Sequence, residues 1–243
     1  EEFQNYAGHT DVVSKSIFID EHTMVSTSWD GRVKAWNYRT GYQEWKIVAS
    51  HIALNDLISI REKNWIITAG ADRSINIWDV DTHQLVRTLS GHGSQVISLN
   101  DLAKYDILVS STDNGEVKYW SLESFDNLVT QYFTGPQNWV IINRQGYFNA
   151  TPGASDAVAF VNGLESYQPE QFFEKFYDPD LLPLSYQTSR SVNTNTNLAE
   201  VINKFPPPVV EIIVPNHEQE FTRPDVNILI KTTNTGGSVD EIR

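Results

Sequence analysis

Short apolar runs broken by acidic, Gly or Asn residues fill the first half of the chain, and their alternation has period two. Val12–Ile19, Met24–Trp29 and Val33–Asn37 form one set, interrupted at Asp20, Glu21 and His22 and again at Asp30 and Gly31. Leu54–Ile60, Trp65–Gly70 and Ile75–Val80 form a second, with breaks at Arg61–Lys63 and Asp72–Ser74. Gln95–Leu99, Asp106–Thr112 and Val117–Leu122 form a third, with breaks at Asp101 and at Asn114 and Gly115. β-branched and aromatic residues suit half-buried pleated surfaces, and turn formers between such runs predict antiparallel meanders. Gln84–Leu89 reads as a fourth strand that closes the second set.

The sets repeat. Trp36, Trp78 and Trp120 fall 42 residues apart, and His9, His51 and His92 fall 42 and then 41 apart. Asp30 and Asp72 keep the same interval between them. Landmarks recurring in register are the signature of a repeat architecture, and four short strands per 42-residue unit describe a propeller blade.

Gly8 with His9 at one end of a unit, and Trp78 with Asp79 at the other, resemble the WD-repeat family over residues 1–135. That resemblance implies an all-β chain, a partial WD-repeat β-propeller with three recognisable blades. It also implies a buried tetrad of His, hydroxyl, Asp and Trp in each blade. By motif position these are His9, Ser28, Asp30 and Trp36 in the first unit, and His51, Asp72 and Trp78 in the second, where Gly70 takes the hydroxyl position and leaves a weaker blade. In the third they are His92 and Trp120, with Asp113 or Asn114, and Ser111 or Thr112, competing for the remaining places. Recurrence once per unit makes these side chains scaffold rather than a catalytic dyad, because a buried carboxylate is tolerated only when paired. The resemblance further implies a partner-binding rim, formed by Trp29, Ala71 and Thr112 before the turns and by Ser14, Asp56 and Ile97 on the inner strands.

Beyond the third unit the landmarks stop. Asn138–Asn143, a turn at Arg144–Gly146, the return Gly146–Thr151 and Ala157–Val161 predict an irregular fourth blade, which ends the propeller at about residue 165. Pro169–Tyr177 reads as a short aromatic helix, with Phe172 and Phe176, and Phe173 and Tyr177, at helical spacing. It is expected to cap the propeller or pack on the next domain. Polar residues 185–205 read as a linker with a short helix at Asn197–Asn203, so that helix and linker span 166–205. From 206 to 243, Val209–Val214 and Val226–Thr232 resemble the first strands of an immunoglobulin-like β-sandwich, incomplete at this length.

The stretch from Trp139 through Gly146–Ala154 to the aromatic run ending at Leu182 resembles a segment of certain bacterial proteins in which WD repeats precede a caspase-like peptidase domain. It implies that this chain is a fragment of such a protein, without the peptidase. Three blades cannot close a ring, and Phe3–His9 reads as the end of a preceding blade, so the remaining blades of its own full-length chain are expected partners.

The sequence has 243 residues, 40% of them hydrophobic and 12% aromatic, enough for a substantial core. A net charge of −13 disfavours phosphate backbones, so nucleic acid is not an expected partner. No apolar run is long enough to cross a membrane, and no secretory signal stands at the start. With no cysteine, thiolate metal sites and cysteine nucleophiles drop out, and the expected location is the cytoplasm. Nucleotide-loop, zinc-protease and nucleophile-elbow motifs are missing, so no cofactor and no metal are expected and this chain is read as no enzyme. The leading expectation is a non-catalytic protein-protein interaction scaffold. Its rival is a regulatory sensor propeller that binds a ligand or peptide and gates an attached peptidase.

Overall fold

The computed structural model describes residues 6–154, 159–162, 165–167, 173–182, 197–204, 209–214 and 229–233. Two four-stranded antiparallel meanders open the chain. The first is β1 (Val13–Phe18), β2 (Thr23–Ser28), β3 (Arg32–Asn37) and β4 (Gln43–Val48). The second is β5 (Leu54–Ile60), β6 (Trp65–Gly70), β7 (Ile75–Asp79) and β8 (Leu85–Leu89). The third begins in the same way with β9 (Val96–Leu102), β10 (Ile107–Thr112), β11 (Glu116–Ser121) and β12 (Asn127–Phe133). It then continues through β13 (Trp139–Asn143) and β14 (Phe148–Ala150) as one six-stranded sheet. The expected strand and return over 138–151 are therefore present, joined to the third blade by pairing of β12 with β13.

The 42-residue period is written into the backbone as well as the side chains. Left-handed φ angles occur at Gly31, Arg73 and Gly115, again at Gly41, His83 and Phe125, and at Asn64 and Asp106. Glycine takes these turns without penalty, but Arg73, His83 and Phe125 do not. Two of the three are held by a ring on the preceding blade: His83 packs on Trp45 at 4.6 Å between centroids, and Phe125 on Trp65 at 5.8 Å. Each first strand also carries a bulge at one register position, at Ser14, Asn55 and Ile97. Bulges of this kind bend the strand and sharpen its twist.

Blades stack face to face. Val25, Val33, Ala35 and Ile47 of the first meet Leu54, Leu57, Ile66 and Trp78 of the second. Ile67, Ala69, Ile75, Ile77 and Leu89 of the second meet Val96, Leu99, Leu108 and Trp120 of the third. Each such side chain removed from water contributes about 1.5–3 kcal/mol. Among the described residues nothing covers the corresponding outward face of the first blade: Val13, in the register position of the fully buried Leu54, is 51% exposed.

After the blades, β15 (Phe160–Asn162) pairs with β16 (Glu165–Tyr167), α1 (Phe173–Phe176) and α2 (Leu198–Lys204) are helices, and Leu181 and Leu182 are helical as well. The expected helix over 169–177 is described only from Phe173, and Phe172 lies outside the described residues, as do Ala157 and most of the expected linker. Phe176, Leu198 and Ile202 close on Phe148 and Tyr167, so both helices dock on the β13–β14 hairpin. The sheet edge at β14 is sealed, with Asp178 N–H bonded to Phe148 O and Asn149 Nδ2–H to Pro179 O. Leu181 and Leu182 pack on Val129, Ile141 and Tyr119 of the third blade. β17 (Val209–Val214) pairs antiparallel with β18 (Leu229–Thr233), and the rest of the expected sandwich lies outside the described residues.

Gly70 lets two strands approach where neither other blade has glycine, since a Cβ there would stand 2.5 Å from the Ala53 carbonyl oxygen. Gly70→Ala is expected to cost ~2 kcal/mol through overpacking, read as a lower urea midpoint at unchanged slope.

Candidate interaction surface

Each blade buries an indole whose N–H can only donate. In the first, Trp36 Nε1–H donates to Ser26 Oγ at 2.8 Å, and Ser26 lies 2.8 Å from His9 Nε2. His9 Nδ1 in turn lies 3.0 Å from Asp30 Oδ2. Because the indole must donate, the serine proton goes to Nε2 and the imidazole carries its proton on Nδ1, toward the carboxylate. Burial by itself would raise the pKa of Asp30. The N–H of Thr10, the His9 ring and the N–H of Arg32 more than offset it and hold it at about 2.

The third blade repeats the relay with a different acid. Trp120 Nε1–H donates to Ser110 Oγ at 2.8 Å, Ser110 meets His92 Nε2 at 2.7 Å, and His92 Nδ1 lies 2.6 Å from Glu116 Oε2. Lys118 Nζ and the Tyr132 hydroxyl reach the other oxygen of Glu116 at 3.2 and 3.3 Å. Burial pushes His92 below the ordinary imidazole range against the pull of Glu116. Burial also opposes charge on Glu116, but His92, the Gly93 N–H and Lys118 prevail and hold it below the usual carboxylate range.

These contacts correct several expected tetrad members. The hydroxyl of the first blade is Ser26, not Ser28. Ser28 braces the turn instead, accepting from the Asp30 N–H at 3.1 Å and donating to Asp11 O. In the third blade the hydroxyl is Ser110, neither Ser111 nor Thr112, and the acid is Glu116, neither Asp113 nor Asn114. Asp113 is exposed and takes a hydrogen bond from Gln95 Nε2 at 2.8 Å. Asn114 occupies the register of Asp30, and Glu116, two residues on, reaches back with its longer side chain.

In the second blade Thr68, not the position of Gly70, receives the Trp78 indole at 3.1 Å. His51 is exposed, and Asp72 accepts from the Ser50 hydroxyl at 2.9 Å instead. Both intact blades have glycine before the histidine, where the second has Ser50. Gly8 lies so close to Trp36 that a Cβ would stand 2.9 Å from the ring, and Gly91 has open space around it but a φ of +117°, which side-chain-bearing residues rarely adopt. The signal for the hydroxyls was in the sequence: Ser26, Thr68 and Ser110 fall 42 apart, each ten residues before its tryptophan.

The predicted rim divides. Trp29 and Ile97 stand 50% and 45% exposed, Ala71 is half-buried, and Ser14 shares a hydrogen bond with Thr27 Oγ1 at 3.1 Å. Thr112 is buried and bonds Asn114 Oδ1 and the Glu116 backbone, so it offers nothing to a partner. Asp56 is buried as well and joins three blades: it accepts from the Leu99 N–H at 2.7 Å and lies 3.3 Å from Lys15 Nζ. Two residues outside the expected rim are also about half exposed: Val12, whose carbonyl accepts from the Trp29 N–H, and Ile52, whose carbonyl lies beside Gly31. Among the described residues no group of three or more His, Asp or Glu could hold a metal ion.

Comparison with known proteins agrees with this architecture. The model of the family described as "WD domain, G-beta repeat" matches residues 1–37, 47–79 and 83–121. A probable coatomer subunit beta' of Schizosaccharomyces pombe is 29% identical over 169 residues, 68% of this chain and 20% of its own length. Human apoptotic protease-activating factor 1 is 23% identical over 201 residues, 74% of this chain and 16% of its own length. A ribosome biogenesis protein WDR12 homolog of Oryza sativa subsp. japonica is 32% identical over 124 residues, 49% of this chain and 28% of its own length. The chain thus spans less than a third of the length of each of these relatives.

Ser26→Ala strands both the Trp36 indole and the His9 ring and is expected to cost ~3 kcal/mol, against ~1 kcal/mol for Ser28→Ala, in paired urea melts. Acid is expected to loosen the third blade first. The lowered His92 pKa gives stability that is complete above 6.5 and lost as pH falls through the folded value, followed by Glu116 below 4.5 and by Asp30 between 3.8 and about 2. Hydrogen exchange, corrected for intrinsic rates, should show β10 and β11 losing protection as pH falls below 6.5, before β2 and β3 lose theirs.

Proposed function

Because the chain carries WD repeats of the G-beta type, we propose that it is a non-catalytic scaffold in the cytoplasm that holds partner proteins on the rim around Trp29. WD-repeat proteins generally mediate protein interactions, and no relative named above points to catalysis by its repeats. The observation that carries the reading is Trp29, 50% exposed at the turn between two strands, with Val12, which accepts its backbone N–H, and Ile52, whose carbonyl lies beside Gly31, each about half exposed. Tryptophan is among the residues enriched at the energetic centres of protein interfaces.

The same reading gives the open face of the first blade an occupant. Val13 and Phe18 stand 51% and 54% exposed on the face that, in the second and third blades, receives β-branched residues from a neighbour. Further WD blades of a longer polypeptide would cover it. A peptidase attached to that polypeptide remains part of the proposal, supported by likeness to a protein whose name denotes protease activation.

A photo-crosslinking amino acid placed at Trp29 is expected to capture a discrete protein in the source cells, and one placed at Glu44 on the outer strand is not. Equal yields at the two positions would set the rim reading aside.

A further inference from the structure

The outer strands β4, β8 and β12 end their meanders differently. β12 is paired on its outer side by β13, whereas β8 is the edge of its sheet among the described residues. Leu85 and Val86 on that edge are 49% and 40% exposed. Beside the end of β8 opens a cleft of about 370 Å³, lined by Ser90, Phe125, Thr130, Tyr132, Ile142 and Arg144. Its wall is the outer part of the third blade, including β13, to which the second blade has no matching fifth strand. Among the described residues no other blade edge stands beside such a wall, because the blade next to β4 stops at four strands.

From this juxtaposition we infer that the slot between β8 and β13 receives an extended acidic segment of a partner protein, added as a fifth strand to the second blade. The free edge supplies backbone donors and acceptors, and pairing of β13 on β12 shows within this chain how a blade takes such a strand. Side chains on the inner face of the added strand would rest on Ile142 and Tyr132. Charge sets the partner's character: Arg144 lines the cleft, and Arg87 of β8 stacks over the Phe125 ring at 5.7 Å. Neither arginine has an ion pair among the described residues. Asp126 also lines the cleft and turns away a uniformly acidic strand, which favours one that alternates acidic with apolar residues.

The test is an NMR titration of the whole chain with a short, end-capped peptide alternating valine and glutamate. The expected result is amide shifts along Leu85–Leu89 and at Ile142, with binding weakened roughly tenfold in Arg144→Glu and lost for the matching valine–lysine peptide. Binding should be unchanged in Trp29→Ala, which separates this site from the rim. No binding, shifts that spare β8, or equal affinity for the two peptides would overturn the inference. A backbone amide spectrum of Arg144→Glu that matches the parent outside the cleft guards against a folding defect.

Discussion

An indole N–H inside a protein must give its proton to something, and three of them set the internal order of this propeller. Trp36, Trp78 and Trp120 each point that group at a hydroxyl on the adjacent strand, ten residues earlier. A buried hydroxyl that accepts must then pass its own proton on, and the two intact relays do so through an imidazole to a carboxylate. The carboxylate is fed by backbone N–H groups at the loop entering the blade, so the relay ties strand, loop and turn together in one chain of donors. In the second blade, where Ser50 replaces the glycine before the histidine, Thr68 hands its proton to the Asn76 carbonyl instead of to a histidine, and the relay ends there.

Much of this was legible in the sequence. The spacing of the tryptophans placed the meanders, and the paired strands over 209–214 and 229–233 answer to two apolar runs. What escaped were choices made by side-chain length and by neighbours distant in sequence. Ser28 and Ser26 differ by two positions on the same face of a strand, and a search anchored on the turn picks the nearer one. Glu116 stands in for an aspartate because one more methylene lets it reach back from the next strand, and spacing alone does not encode reach. Asp56 looked like a rim residue because it lies on an inner strand, but its partners, Lys15 and Leu99, are each more than forty residues away.

The exposed positions obey the same logic. A repeat can satisfy its buried groups within itself, yet its apolar faces need neighbours. The facing sides of the first and second and of the second and third blades find them in each other, the third blade's outer part finds Leu181 and Leu182, and the first blade's outward face finds none among the described residues. Function is therefore sought where satisfaction is incomplete: at Trp29 on the rim and along β8 on the outside.

The continuous sheet from β9 to β14 has a mechanical meaning. α2 is riveted to the β13–β14 hairpin by Leu198 and Ile202, and by the Leu198 N–H on Gln145 O. A pull applied at Lys204 loads that apolar contact, then the docking of Phe176, Asp178 and Leu181 on β14 and the third blade, and only then the β12–β13 ladder, whose hydrogen bonds resist in parallel when sheared along the strands and one at a time when peeled across them. The direction of the tether, more than its strength, decides whether the third blade behaves as a firm anchor or as a zip.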